Sequence, residues 1–272
     1  MRAEKLLAAE PPATEMLRFY LDLLQLQEPL YQDAIGQEWS TLVRCARDDA
    51  FPLLQLDRLP FSDLLSSFQE FLRDIGPRAT EALVPVAESL WLAGDDVQTR
   101  VLSDFILQQE SEASGDSLPG DPPLLEFFAR AFLEPIVQAL VEQSGPTVDT
   151  WRRNMCPMCG RPPQVGAIYD EPDAKGRRML VCSLCGTWWT FPRSTCPQCG
   201  ETDPNKLIYH EREDAPHVRV EECAACKAYL KSVDLRKDGR AVPLVDDLAT
   251  VELDVWCGER GLRKIQPNLL GM

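Results

Sequence analysis

Long apolar stretches and clustered positive charge are both missing from this sequence. No run among its 272 residues approaches the roughly 18 consecutive apolar residues of a membrane-spanning helix. Glu4, Glu10 and Glu15 interrupt the N-terminal segment, where a secretion signal needs an unbroken apolar stretch. The 28 lysines and arginines are outnumbered by 43 aspartates and glutamates, which argues against broad binding to nucleic-acid phosphates. We therefore expect a cytoplasmic protein with no membrane span and no nucleic-acid partner.

Cysteine is nearly absent from the first 150 residues, where Cys45 is the single example. The other nine of the ten cysteines lie between residues 156 and 257. Charge changes at the same place, because residues 1–150 carry 26 acidic and 10 basic side chains, whereas residues 151–272 carry 17 and 18. A reducing compartment disfavours disulfides, so the clustered cysteines indicate metal binding or redox chemistry. The two compositions predict two domains, joined near residues 143–147.

The first half has the apolar periodicity of helices. Apolar residues recur at helical spacing in segments that cover approximately residues 17–26, 62–72, 79–93, 96–110 and 123–143. Its carboxylates are scattered along these segments, as on solvated helix faces, and no catalytic constellation is recognisable. We predict an all-α domain over residues 1–147.

The second half contains four Cys-x-x-Cys pairs: Cys156/Cys159, Cys182/Cys185, Cys196/Cys199 and Cys223/Cys226. Two intervening residues allow one tight turn to present both sulfurs to a tetrahedral ion. Glycine follows the second cysteine of the first three pairs and permits the positive φ that such a turn uses, whereas Lys227 follows the fourth.

An internal repeat predicts how the pairs combine. Cys156-Pro-Met-Cys-Gly160 precedes the similar Cys196-Pro-Gln-Cys-Gly200 by 40 residues, and an Ile-Tyr pair follows at the same offset in each copy. Consecutive pairs then form two four-cysteine sites. Cluster 1 is Cys156, Cys159, Cys182 and Cys185, and cluster 2 is Cys196, Cys199, Cys223 and Cys226. We predict that each cluster binds one metal ion, which holds together a β unit too small to fold by its core alone.

Several segments of this half resemble a known family. They are residues 179–189 (MLVCSLCGTWW), 218–231 (VRVEECAACKAYLK) and 246–254 (DDLATVELD), followed by Gly261-Leu-Arg263 and Asn268. These motifs are similar to those of the formate dehydrogenase accessory proteins, the FdhE family. Ala224 departs from that pattern, since the last pair of the family commonly contains an aspartate there.

The resemblance implies a fold and a function. It implies a cytoplasmic factor that binds the catalytic subunit of respiratory formate dehydrogenase before twin-arginine export, and that this enzyme needs for activity. It also implies rubredoxin-like metal sites that hold iron, with zinc as the alternative. We therefore predict an α+β multidomain protein, in which the all-α domain precedes two rubredoxin-like or zinc-ribbon-like metal-binding repeats. These repeats span residues 148–190 and 191–272, the second with a C-terminal extension.

Two other functions stay open beside that of a non-enzymatic accessory protein with two metal ions. Iron held by four cysteines can cycle by one electron, so a rubredoxin-like electron carrier is the alternative. A zinc-ribbon module that binds nucleic acid is disfavoured by the charge balance. The oligomeric state, including a homodimer, is also left open.

A surface for a partner protein is predicted from the second repeat. Tyr229 lies within the segment Lys227-Ala-Tyr-Leu-Lys231, and basic residues flank it along the chain. The predicted basic patch comprises Arg212, Arg219, Lys231, Arg236 and Lys237. Cys257 has no cysteine partner nearby in sequence, and we predict that it is buried rather than reactive.

Overall fold

The computed structural model describes residues 1–9, 11–44, 51–108, 120–145, 150–172 and 174–272. The helices are α1 (Arg2–Leu7), α2 (Thr14–Ile35), α3 (Phe61–Ile75), α4 (Val84–Leu92), α5 (Asp95–Leu107), α6 (Pro122–Ser144), α7 (Pro243–Ala249) and α8 (Val251–Glu259). The strands are β1 (Pro163–Tyr169), β2 (Arg177–Cys182), β3 (Trp188–Thr190), β4 (Leu207–Glu211), β5 (Val218–Cys223), β6 (Ala228–Asp234) and β7 (Arg263–Lys264). Cys45 and residues 146 and 147 of the predicted linker lie outside the described residues.

The chain forms two compact units. The helical unit comprises Phe19–Pro146 and Gly271, and the cysteine unit comprises Met1–Arg18, Thr147–Leu270 and Met272. The first 18 residues, which the sequence pattern placed in the helical domain, thus group with the cysteine-rich half. Helices followed by a sheet with two four-cysteine clusters confirm the predicted α+β fold.

Helix α6 forms the centre of the helical unit. Its apolar residues cover the whole circumference rather than one stripe, which is typical of a helix surrounded by others. Phe68 and Phe71 of α3 pack on Phe132 of α6, with ring centroids 5.0 Å and 5.8 Å away. Gln98 of α5 is fully buried, and its side-chain amide donates to the carbonyl oxygen of Leu90 at 2.8 Å. The bond gives the Leu90 carbonyl, in the last turn of α4, a second donor beside the Ala93 amide at 3.2 Å.

The two cysteine repeats share one sheet. Strands β1, β2 and β3 of the first repeat are antiparallel neighbours, and so are β4, β5 and β6 of the second. The order across the sheet is β3-β2-β1-β6-β5-β4, so β1 and β6 join the repeats, and they run parallel. The short strand β7 also pairs with β6. Neither repeat is therefore a separate small sheet.

One apolar core stabilises the cysteine unit. Buried side chains of β1, β2, β5 and β6 pack with residues of the segment from Ala241 to Leu262, which includes α7 and α8. The core residues are Val165, Ala167, Val181, Val218, Val220, Tyr229, Val233, Ala241, Leu253, Cys257 and Leu262. Cys257 is fully buried among them, as predicted. The helices α7 and α8 thus cover the sheet that carries the cysteines.

Candidate metal centres

The Cys-x-x-Cys loops have the same backbone geometry in both repeats. The amide of Cys156 donates to the carbonyl of Arg161 at 2.8 Å, and the amide of Gly160 donates back to Cys156 at 3.0 Å. In the second repeat, Cys196 bonds to Glu201 and Gly200 bonds to Cys196 at the same two distances. This tight turn directs both sulfurs of a pair to one side of the loop.

The residue after each pair adopts a left-handed backbone. Gly160, Gly186 and Gly200 have φ of 77°, 66° and 78°. Lys227 has φ of 60° at the equivalent position of the fourth loop, although a Cβ makes this conformation costly. The loop is held there by neighbours, since the Lys227 amide donates to Cys223 and its carbonyl accepts from Arg263, both at 2.8 Å.

The structure gathers the eight predicted cysteines in the two predicted groups. In each cluster, the four sulfurs all lie within 4.8 Å of one another. The sulfurs of Cys159 and Cys182 are 3.3 Å apart and those of Cys156 and Cys185 are 3.5 Å apart. In cluster 2, Cys199 and Cys223 are 3.7 Å apart and Cys196 and Cys226 are 3.8 Å apart. A tetrahedral ion with metal–sulfur bonds of about 2.3 Å needs sulfurs about 3.8 Å apart. The donor set therefore fits one zinc or iron ion per cluster, and ligation by these cysteines stays a prediction.

The surroundings of the cluster 1 sulfurs make uncompensated thiolates unfavourable. Burial raises the pKa of the Cys159 and Cys185 thiols well above its ordinary value, because a lone thiolate is poorly solvated there. A coordinating metal ion reverses this preference and deprotonates the thiol. Backbone amides are also in place, since those of Met158 and Leu184 lie 3.4 Å from the sulfurs of Cys156 and Cys182. Cluster 1 is thus suited to thiolates once a cation neutralises them.

The two clusters differ in their access to solvent. All four cysteines of cluster 1 are buried. In cluster 2, Cys199 is exposed and Cys226 is half-buried, whereas Cys196 and Cys223 are buried. The cysteine spacing alone gives no reason for this difference.

A buried arginine connects the two repeats. Arg178 of β2 forms an ion pair with Glu221 of β5, and both side chains are more than nine-tenths buried. The same guanidinium donates to the carbonyl oxygens of Pro192 at 2.9 Å and Thr195 at 3.1 Å. Burial alone would raise the pKa of Glu221, but the arginines Arg178 and Arg219 outweigh it and hold that pKa below its ordinary value. Arg178 therefore fixes the segment that leads into Cys196.

The predicted partner surface around Tyr229 is wrong. Tyr229 is 4% exposed, and its hydroxyl donates to Asp254 at 2.8 Å. Lys231 is fully buried beneath α7 and α8. Each of the five basic side chains is paired with carboxylates: Arg212 with Asp214 and Glu252, Arg219 with Glu221, Lys231 with Asp247 and Asp254, Arg236 with Asp234, and Lys237 with Glu211. Acids two positions away in the sequence neutralise Arg212, Arg219 and Arg236, and acids brought in by the fold neutralise Lys231 and Lys237.

Two of those carboxylates, Asp247 and Asp254, belong to a buried network that was not predicted from the sequence. The Lys231 ammonium lies 2.6 Å from Asp254 and 3.0 Å from Asp247, and it donates to the Thr250 carbonyl at 3.1 Å. Lys264 of β7 pairs with the same two aspartates at 2.8 and 3.1 Å. Two cations and two anions therefore join β6 and β7 to α7 and α8. The acidic residues of segment 246–254 were the sequence feature from which this network could have been suspected.

Within the part of the chain that the structure describes, no helix combines the length and the apolar character that crossing a membrane requires.

Comparison with known proteins shows which proteins this chain is similar to. Residues 155–193 match the family model described as "FdhE, central domain", and residues 195–270 match "FdhE, C-terminal domain". The Protein FdhE homolog of Aquifex aeolicus is 29% identical over 269 residues, covering 96% of this chain and 90% of the relative. That of Pseudomonas aeruginosa is 30% identical over 278 residues, covering 99% and 88%.

A solved structure also resembles this chain. The crystal structure of the FdhE protein from Pseudomonas aeruginosa has a TM-score of 0.70 and 27% identity, and the match covers 99% of this chain and 94% of that one. The similarity therefore includes the helical half as well as the cysteine repeats.

Proposed function

Because the chain belongs to the FdhE family, we propose that it is an accessory factor for the maturation of respiratory formate dehydrogenase. In this proposal the protein acts in the cytoplasm and binds the catalytic subunit of that enzyme before its export. It carries two metal ions, one in each cluster, and it is not itself an enzyme.

The observation that carries this proposal is the family match over nearly the whole chain. The match to the Pseudomonas aeruginosa homolog covers 99% of the residues, so it includes both the helical and the cysteine units. All cysteines of cluster 1 lie within the central family model, and all those of cluster 2 lie within the C-terminal one.

The cluster chemistry supports a binding role. Four sulfurs complete the coordination of a tetrahedral ion, so no position is left for a substrate or a reactive water. Metal binding in such a site contributes folding free energy instead. The ions would then stabilise the sheet as a rigid surface for a partner protein.

A capture experiment tests whether the chain binds the catalytic subunit of formate dehydrogenase. Immobilised wild-type chain, prepared without oxygen, should retain a formate dehydrogenase catalytic subunit, whereas Cys182→Ser should lose it because cluster 1 no longer holds an ion. Cys257→Ala is the matched control, since this buried cysteine lies outside both clusters. Helicity of every variant is checked by circular dichroism. A wild-type chain that retains no catalytic subunit would contradict the proposal, and unchanged capture by Cys182→Ser would move the interface away from the cysteine unit.

Metal content tests the cofactor. We propose two ions per chain, with iron favoured over zinc by the family resemblance. Elemental analysis of anaerobically purified protein, together with its visible spectrum, distinguishes the two metals because only the iron form is coloured. Cys156→Ser and Cys196→Ser should each lose one ion.

An electron carrier is the second candidate function. It is favoured by the exposure of Cys199, since an iron ion bound there would lie close to a redox partner at the surface. An absorption spectrum that changes reversibly on reduction and reoxidation supports this candidate. Protein that contains only zinc excludes it, because zinc has no redox chemistry.

A further inference from the structure

The loops of the two clusters carry different side chains at the position before the second cysteine. In cluster 1 this position holds Met158 and Leu184, which are 0% and 1% exposed. In cluster 2 it holds Gln198 and Ala225, which are both exposed. Large apolar side chains therefore bury the loops of cluster 1, whereas a polar and a small side chain leave those of cluster 2 open to solvent.

Cluster 2 is also bordered by an open crevice. Two of its cysteines, Cys196 and Cys223, line this shallow space together with Arg193, Leu207 and Tyr209. Cluster 2 is thus open to solvent at the exposed Cys199, whereas Cys196 and Cys223 are buried behind this crevice.

Exposure controls how a metal–cysteine site reacts. A chelator removes an ion by replacing its sulfur ligands, and an electrophile must reach a sulfur lone pair. Both reagents can approach an exposed cysteine directly, whereas access to buried cysteines requires local unfolding of the surrounding structure. The two clusters should therefore release their ions and react with electrophiles at different rates, even if both bind the same metal through four cysteines.

We propose that cluster 2 is an exchange and modification site, at which soft metal ions exchange and thiol-directed electrophiles attack Cys199 first. Cluster 1 is in contrast a permanent structural site. This inference rests on the metal occupancy stated under the proposed function. In the modification step, the Cys199 sulfur forms a bond to the electrophilic carbon, and the leaving group departs with the electron pair of the broken bond.

Metal release tests the difference between the clusters. The full-length protein is loaded with Zn²⁺ and mixed with 4-(2-pyridylazo)resorcinol, a coloured chelator. We expect two phases of equal amplitude, with one ion per chain released quickly and one slowly. Two ions released in a single phase would overturn this inference and leave the proposed function intact. A chain that binds no Zn²⁺ at its cysteines would overturn the metal occupancy and the inference with it.

Alkylation identifies the site that reacts. Iodoacetamide is added to the loaded protein, and the modified cysteines are located by mass spectrometry over time. We expect Cys199 to be modified before any cysteine of cluster 1, with loss of the fast-released ion in the same fraction of molecules. Modification that starts at a cysteine of cluster 1 would contradict the proposal.

Exchanging the covering side chains tests the cause. The double variant Gln198→Met with Ala225→Leu gives cluster 2 the side chains of cluster 1, so its fast phase should slow. Gln32→Met is the matched control, because it makes the same change at an exposed position of the helical unit. An unchanged fast phase in a folded double variant would refute side-chain cover as the cause. If the double variant does not fold, alkylation of the wild-type protein still decides the proposal.

Discussion

Lys227 occupies the position that glycine holds in the other three Cys-x-x-Cys loops. Its φ of 60° is in the left-handed region, where the Cβ of any residue other than glycine causes a steric cost. The backbone bonds to Cys223 and Arg263 hold it in this conformation. The loop that closes cluster 2 therefore contains local strain that the equivalent loop of cluster 1 lacks.

Replacing this lysine with glycine should stabilise the cysteine unit. For Lys227→Gly we expect a gain of about 0.5–1 kcal/mol in the free energy of unfolding, because the αL cost exceeds the extra flexibility of glycine in the unfolded chain. Gly200→Ala is the converse test, since its φ is 78° and an added Cβ meets no atom within 4 Å. It should lose a similar amount through backbone strain alone. Denaturant unfolding of metal-loaded protein measures both, and a destabilised Lys227→Gly would contradict the account of strain.

The fold buries Lys231, a residue whose neighbours in the sequence suggested a surface position. It is fully buried, and its pairing with Asp247 and Asp254 replaces the water it loses. Burial alone would raise the pKa of Asp247, but Lys231 and Lys264 outweigh it and hold that pKa below its ordinary value. The stability that Asp247 contributes is therefore present above its unfolded pKa of about 4, and it is lost as the pH falls toward its folded pKa.

Removing the Lys231 charge should strongly destabilise the protein. Lys231→Met leaves two buried carboxylates with one cation, so we expect a loss of about 3–5 kcal/mol in unfolding free energy at neutral pH. Because the variant lacks the cation that lowers the pKa of Asp247, this carboxylate protonates at a higher pH than in wild type, and the deficit should shrink as the pH falls. Lys5→Met changes an exposed lysine and should lie within about 0.5 kcal/mol of wild type. A deficit that does not depend on pH would show that lost packing, rather than charge, causes the effect.

At the scale of secondary-structure elements, the contact between β1 and β6 unites the two repeats. Gly166 of β1 is paired with Ser232 of β6 in the parallel register. A Cβ at position 166 would lie 2.2 Å from the Ser232 hydroxyl oxygen and 3.2 Å from its Cβ. Two small residues therefore allow the strands of different repeats to approach closely.

Adding one methyl group at this contact should weaken the cysteine unit. We expect Gly166→Ala to lower the free energy of unfolding by about 1–3 kcal/mol through overpacking. Adding Ser232→Ala removes the closer of the two contacts, so the double variant should recover most of the loss. Ser232→Ala by itself is the control for the missing hydroxyl. Additive losses in the double variant would show that the two side chains do not clash.

On the scale of the whole molecule, the N-terminal residues belong to the cysteine unit. Arg2 of α1 forms an ion pair with Asp238 at 3.0 Å, and its Nε donates to Asp246 at 3.1 Å. Asp246 is 1% exposed and also contacts His217 at 2.9 Å. Burial alone would raise the pKa of Asp246, but the bonds from His217 and Arg2 hold it below its ordinary value. An ion-pair network thus connects residues more than 200 positions apart in the sequence.

Metal removal should unfold the cysteine unit while the helical unit stays folded. Chelation at neutral pH should unfold the cysteine repeats, because their ions contribute folding free energy, whereas the helical unit keeps its apolar core. Limited proteolysis should then leave a fragment that contains α3 to α6, detectable by mass spectrometry. Loss of all helicity at the same chelator concentration would contradict separate stabilities. Metal-loaded protein treated with the same protease is the control.

The sequence by itself determined the features that depend on local spacing. Apolar periodicity predicted helices α2 to α6 but not the short α1, and the repeated Cys-x-x-Cys pairs predicted the grouping into two clusters. Both are local patterns, since a helix face or a tight turn is built from residues a few positions apart.

Only the tertiary structure decided which residues meet across long sequence separations. It buried Tyr229 and Lys231, which the sequence suggested as a surface, because α7 and α8 cover β6 and supply Asp247 and Asp254. It also joined the repeats through the parallel pair β1–β6 and brought Arg2 to Asp246. A buried charge is stable only when its partner is in place, and that partner is set by the packing of distant segments rather than by the neighbouring sequence.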